Sequence, residues 1–146
     1  MTDGPQIDFY VLQEQSPGGR FKLACRIVEK AYRLGHQVYV RTDNSDDTNV
    51  LDDLLWTFSQ NSFVPHQLCT ESESRESPVV IGEHPPAAEG IDVVISVADD
   101  PVSDFTAYPR IVEIVGCEDD EKASGRNRFR YYREHGVEPN THRIAR

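Results

Sequence analysis

Two hydrophobic periods alternate along this chain. Ile7–Leu12 (IDFYVL) is short, β-branched and aromatic, which predicts a strand. The turn cluster QSPGGR follows it. From about Gly19 to Leu34, the residues Phe21, Ala24, Cys25, Ile27, Val28, Ala31, Tyr32 and Leu34 recur at helical spacing. Gly35 is expected to end that helix, because glycine adopts left-handed backbone at least cost. Gln37–Thr42 (QVYVRT) predicts a second strand. Asn44 or Ser45 then caps a helix running to about Gln60. Its early aspartates suit the helix dipole, and Val50, Leu51, Leu54, Leu55 and Phe58 form its apolar side. Ser77–Ile81, Ile91–Val97 and Arg110–Val115 read as further strands, and Glu118 to about Gly136 reads as the last helix.

Short, nearly continuous apolar strands separated by helices imply a mostly parallel sheet with helices on both faces, a three-layer α/β/α fold. With 146 residues and 38% hydrophobic content, residues 1–146 are expected to form a single domain. Thr70–Ser77 (TESESRES) reads as a polar surface loop rather than a linker. No apolar run reaches the ~20 residues of a membrane span. The opening MTDGPQ lacks the basic and apolar regions of an export signal. Three scattered cysteines, Cys25, Cys69 and Cys117, suit reduced thiols in a cytoplasm, with Cys25 a small buried hydrophobe on its helix.

Charge changes the picture. The net charge is -10, yet Glu121–Arg146 holds seven basic residues against three acidic ones. Residues 1–120 hold eight basic residues against 22 acidic. A small basic patch on an acidic body suits a compact acidic ligand better than a DNA duplex, whose binding strengthens with each phosphate neutralised. A solvated helix face without a partner gives the same pattern.

The α/β reading invites a test for nucleotide chemistry. The loop QEQSPGGRF places a glycine pair before a helix, where a phosphate docks in many such sheets. It lacks the Lys-Ser/Thr of a P-loop and does not fit G-x-G-x-x-G. His36, His66, His84, His135 and His142 show no metal-ligand spacing, and neither metal nor cofactor is expected. Asp99-Asp100 after a strand fits a catalytic carboxylate pair or an ordinary turn equally well. No serine sits in a G-x-S-x-G elbow.

Two segments are less ordinary. Trp56–His66 (WTFSQNSFVPH) crowds the only Trp, two Phe and a Pro at a helix end, either as core or as interface anchors. On the last helix, Lys122, Arg126, Arg130 and Arg133 fall within one arc of ~80°, with Phe129 at its edge. Gly125, Tyr132 and Gly136 fall on the adjoining face and are expected to meet the sheet. The helix thus offers a basic ridge bordered by an aromatic, suited to a ligand with carboxylates and an apolar end.

At these residues the chain resembles the chi subunit of bacterial DNA polymerase III over nearly its whole length. FYVL, ACRIVEKAYRLG, QVYVRT, LDDLLWTF...SFVPH, DVVIS and the closing EIV...R-x-R-x-x-Y carry the likeness, the fourth most specifically. The resemblance implies a non-catalytic adaptor of the polymerase holoenzyme with two partners. One is the psi subunit, which ties chi to the clamp loader. The other is the acidic, Phe-terminated C-terminal tail of single-stranded DNA-binding protein (SSB), so that DNA is contacted mainly through SSB. By position, the tail-binding residues carry over onto Val115, Lys122, Arg126, Phe129 and Arg130, with Phe129 and Arg130 standing where the family has Tyr and Lys. Trp56, Phe63, Val64, Pro65 and His66 carry over as the psi-facing set. The alternative from another class is a small nucleotide-binding or phosphotransfer enzyme on the same fold.

Overall fold

The computed structural model describes residues 5–13, 19–57, 64–68, 77–83 and 90–144. The chain runs β1 (Gln6–Leu12), α1 (Gly19–Arg33), β2 (Val38–Arg41), α2 (Ser45–Thr57), β3 (His66–Leu68), β4 (Val79–Gly82) and β5 (Val93–Ser96). A 3-10 turn at Phe105–Ala107 precedes β6 (Arg110–Val115), α3 (Asp119–Glu134) and β7 (Asn140–Ile144). Among the described residues, seven strands form one sheet in the order β3-β4-β2-β5-β6-β1-β7, and every neighbouring pair is parallel.

Both faces of the sheet are covered, as its apolar strands require. Helices α1 and α2 pack Leu23, Val28, Leu51 and Leu55 against Val40 and Ile95 on one face. On the other, Tyr132 of α3 and Phe105 of the 3-10 turn pack against Phe9, Val94 and Ile111. The fold is three-layer α/β/α. Among the described residues no helix is long and apolar enough to cross a membrane.

The boundaries carry physical reasons. Gly35 adopts φ +86° just past α1, the left-handed stop expected there. Asn44 is the cap of α2, its Oδ1 accepting the Asp47 N–H at 2.8 Å. The apolar side of α2 is narrower than its sequence predicts. Leu51 and Leu55 are buried but Val50 is 42% exposed, and Phe58 and the predicted end at Gln60 lie outside the described residues. Gly136 does not meet the sheet; at φ +93°, with open space where a Cβ would stand, it terminates α3 instead. The polar loop 70–77 and Cys69 also fall almost wholly outside the described residues.

Strands β3 and β7 were not foreseen from the sequence. β3 is three residues long, and β7 (NTHRI) has no apolar alternation. A buried acid helps to hold β7 in place. The Asp8 carboxylate, at 1% exposure in β1, receives hydrogen bonds from Asn140 (3.3 Å) and Arg110 (3.1 Å), and His142 Nε2 lies at 3.0 Å. Burial pushes this carboxyl up, but His142, Arg110 and Asn140 together hold it below its ordinary value. The polar edge strand is thus tied to β1 by side chains as well as by its backbone.

Candidate functional site

Helix α3 is held over β6 and β1 by close approach and by a buried charge pair. A Cβ on Gly125 would stand 2.9 Å from both γ-carbons of Val115, so only glycine lets the helix descend this far. Arg128, 3% exposed, donates from Nε to Glu113 Oε1 at 2.9 Å and from an Nη to the Ile114 carbonyl at 3.2 Å, and its other Nη donates to Ser124. The Tyr132 hydroxyl donates to Glu113 Oε2 at 2.6 Å and accepts the Val102 N–H at 2.8 Å. Burial pushes the Glu113 carboxyl up, opposed by the Arg128 guanidinium and the Tyr132 hydroxyl. At the N-terminus, the Glu121 carboxylate accepts the Glu118 N–H at 3.2 Å in a capping box.

Between this helix and the β6-β1-β7 part of the sheet lies a cleft of about 360 Å³. Its floor is apolar: Phe9 and Val11 of β1, Val115 of β6, and Phe129 and Gly125 from the helix side. The Phe9 and Phe129 rings lie 5.3 Å apart, which fixes Phe129 as one wall. Lys122 and Arg126 rise from α3, while Thr141 and Arg143 border the cleft from β7 and Gln13 from the end of β1. Of the tail-binding residues that the family resemblance implies, the fold brings Val115, Lys122, Arg126 and Phe129 together. Arg130 stands on the same ridge, exposed and 3.5 Å from Asn127 Oδ1, but does not line the cleft. Arg133 turns to Glu138 at 3.5 Å. Phe9, Val11, Thr141 and Arg143 were missed, the first two because they read as ordinary strand core.

The aromatic block forms a second region. Trp56 is 58% exposed at the end of α2, so it is a surface residue of this chain, and its ring packs edge-on against His66 at 5.1 Å. His66 Nδ1 lies 2.6 Å from the Val64 carbonyl, and Nε2 lies 3.1 Å from Asp52 Oδ1. The His66 side chain is itself covered, Pro65 is half-buried, and Val64 is fully buried in the core. Val64 therefore supports this surface from beneath rather than forming it. Phe63 lies outside the described residues.

A second depression, about 710 Å³, opens near the carboxyl end of β5 and the start of α3, where α/β folds bind phosphates. Here it is lined by Asp99, Asp100, Asp120 and Glu121. Its two arginines are committed, Arg20 to Glu121 and Arg128 to Glu113. Such a surface repels a phosphate. Gly19 has φ +50°, and Gly18 lies outside the described residues. Burial pushes the Cys25 thiol up to about 12, so it remains neutral near pH 7 and is a packing residue, not a nucleophile. Among the described residues no group of His, Cys, Asp and Glu is arranged to hold a metal ion.

The family described as "DNA polymerase III chi subunit, HolC" matches residues 5–140. The chain is 34% identical to DNA polymerase III subunit chi of Pseudomonas aeruginosa over 141 residues, covering 97% of this chain and 98% of that protein. It is 31% identical to the Escherichia coli subunit chi over 121 residues, 82% of each. With the Haemophilus influenzae subunit chi the identity is 25% over 141 residues, 94% and 96% of the two chains. The chain belongs to the DNA polymerase III chi-subunit family, accessory subunits of a replicative polymerase.

Proposed function

We propose, from its place in the chi-subunit family, that this chain is a non-catalytic adaptor that binds the acidic C-terminal tail of SSB in the α3 cleft. The observation that carries this reading is the union of an apolar floor with cations that have no partner among the described residues. Lys122 and Arg126 have no side-chain hydrogen bond or ion pair among the described residues, yet they stand over Val11, Val115 and Phe129. A terminal Phe fits the floor, and its carboxylate and the acids before it meet the ridge. Arg130 extends the ridge for upstream acids. Phe129 supplies ring contact without the hydroxyl of a Tyr.

The exposed Trp56, with His66 and Pro65 behind it, supports the second half of the reading, a face for the psi subunit and through it the clamp loader. DNA is then contacted mainly through SSB, in the bacterial cytoplasm where the polymerase works. The nucleotide-enzyme alternative is disfavoured by the acidic lining near the end of β5. Each contact in such an adaptor can be weak, because several tails on one SSB-coated strand raise the effective concentration.

Titration with a synthetic peptide copying the organism's SSB tail tests the proposal. Arg126→Ala is expected to weaken binding by roughly 1.5–3 kcal/mol, the range of a hydrogen bond to a charged group. Deleting the terminal Phe is expected to cost a comparable amount. Wild-type protein that fails to bind the peptide, or binds it unchanged without the Phe, refutes the reading.

A further inference from the structure

The cleft has a second charged wall, and it comes from the strand that sequence periodicity does not reveal. Val11 pairs with Val115 of β6 on one side and with Arg143 of β7 on the other. Paired residues of parallel strands project from the same face, so Val115, Val11 and Arg143 form one row across the floor. Arg143 stands two strands from Val115, a Cα separation of about 10 Å. The next residue back, His142, points to the opposite face and is engaged with Asp8 and the Tyr10 ring. Arg143 instead borders the same cleft as Lys122 and Arg126, from the opposite wall. It is exposed and has no side-chain hydrogen bond or ion pair among the described residues.

We propose that Arg143 is a specificity-determining residue of the cleft, closing it against the acidic side chains that precede the aromatic terminus of an acidic peptide. The inference rests on the acidic-tail reading of the same cleft. A carboxylate held by α3 alone keeps its far side in water, where attraction from charges beyond ~8 Å is screened at physiological ionic strength. A cation on the facing wall places the peptide's acids between two positive surfaces. Arg143 stands at the outermost strand, where a chain leaving the apolar floor passes out of the cleft. It therefore reads the acids upstream of the last residue, while Lys122 and Arg126 hold the terminal carboxylate.

The test is a coupling experiment on the full chain. One synthetic peptide carries a run of aspartates and a terminal Phe; in the other the aspartates are replaced by asparagine, and the terminal carboxylate is kept. Arg143→Gln is expected to weaken the acidic peptide on the order of tenfold, as loss of one charge-assisted contact does. It should leave the asparagine peptide nearly unchanged, and Arg143→Lys should retain most of the binding. Thermal melts of the variants should match wild type, since the side chain is exposed. If Arg126→Ala weakens the acidic peptide and Arg143→Gln does not, this inference falls and the tail reading stands. If Arg143→Gln weakens both peptides equally, Arg143 shapes the cleft rather than reading acids, and the inference falls. Failure of wild-type protein to bind either peptide removes the tail reading and this inference with it.

Discussion

Arg128 shows how charge counted along a chain differs from charge presented by a fold. In the sequence it belongs to the basic run of the last helix; in the structure it is buried and spent on Glu113. The signal for this was present. Glu113 interrupts the apolar strand RIVEIV, as Asp8 interrupts IDFYVL, and an acid inside a buried strand needs a partner. What the sequence does not provide is which of the basic residues of the last helix supplies it, because that depends on the register of α3 over β6. Arg128→Met is expected to destabilise the chain by about 3–5 kcal/mol at neutral pH, the cost of leaving one partner of a buried pair uncompensated. The loss should shrink in acid. Glu113 already has a raised folded value, and removing the guanidinium raises it further, so lowering the pH towards the ordinary carboxyl range lets the carboxyl enter the core neutral. Urea titrations at pH 7 and near pH 5 check both points, and a deficit that grows in acid contradicts the argument.

At the level of elements, the strands and helices with strong periodicity were legible, and those held by other means were not. α1, α3, β1 and β6 match their apolar patterns to within a few residues. β7 shows no pattern because only one of its faces meets the cleft and the other is tied by polar side chains to Asp8. That omission also hid one wall of the cleft, since Arg143 sits on β7. The aromatic block was legible as unusual but ambiguous, because a Trp at a helix end is equally at home in a core. Its exposure on α2 removes it from the core of this chain. Trp56→Ala is expected to leave the chain's own melting temperature nearly unchanged while costing on the order of 2 kcal/mol or more of psi-subunit affinity, as interface anchors do. Calorimetric titration with the purified psi subunit reads the second quantity. A large loss of the chain's own stability with intact psi binding would return this face to a structural role.

Over the whole molecule, the balance of charge favours one kind of polyanion over another at the proposed tail cleft. Residues 1–120 carry an excess of acids, so the long-range field is repulsive to nucleic acid except near α3 and β7. A single strand of DNA needs a continuous basic track with stacking aromatics over several nucleotides. Here Phe129 is half-buried against Phe9, and Arg133 and Arg128 are engaged elsewhere. Among the described residues of this stretch, the remaining cations, Lys122, Arg126, Arg130 and Arg143, cover little more than the cleft and its border. A short acidic peptide can satisfy them and fill the apolar floor, whereas an oligonucleotide satisfies the charges, leaves the floor empty and brings its other phosphates against acidic surface. The tail peptide is therefore expected to bind much more tightly than single-stranded DNA of similar charge. Both should weaken as salt rises, because exposed charges are screened beyond about 8 Å at physiological ionic strength. The peptide should retain the part of its binding that comes from the buried Phe, and the oligonucleotide should retain almost none. Parallel salt titrations by fluorescence anisotropy separate the two. If oligonucleotide and peptide bind equally and lose affinity with the same salt slope, and Arg126→Ala weakens both alike, the cleft is a nonspecific anion patch and its assignment to the SSB tail fails.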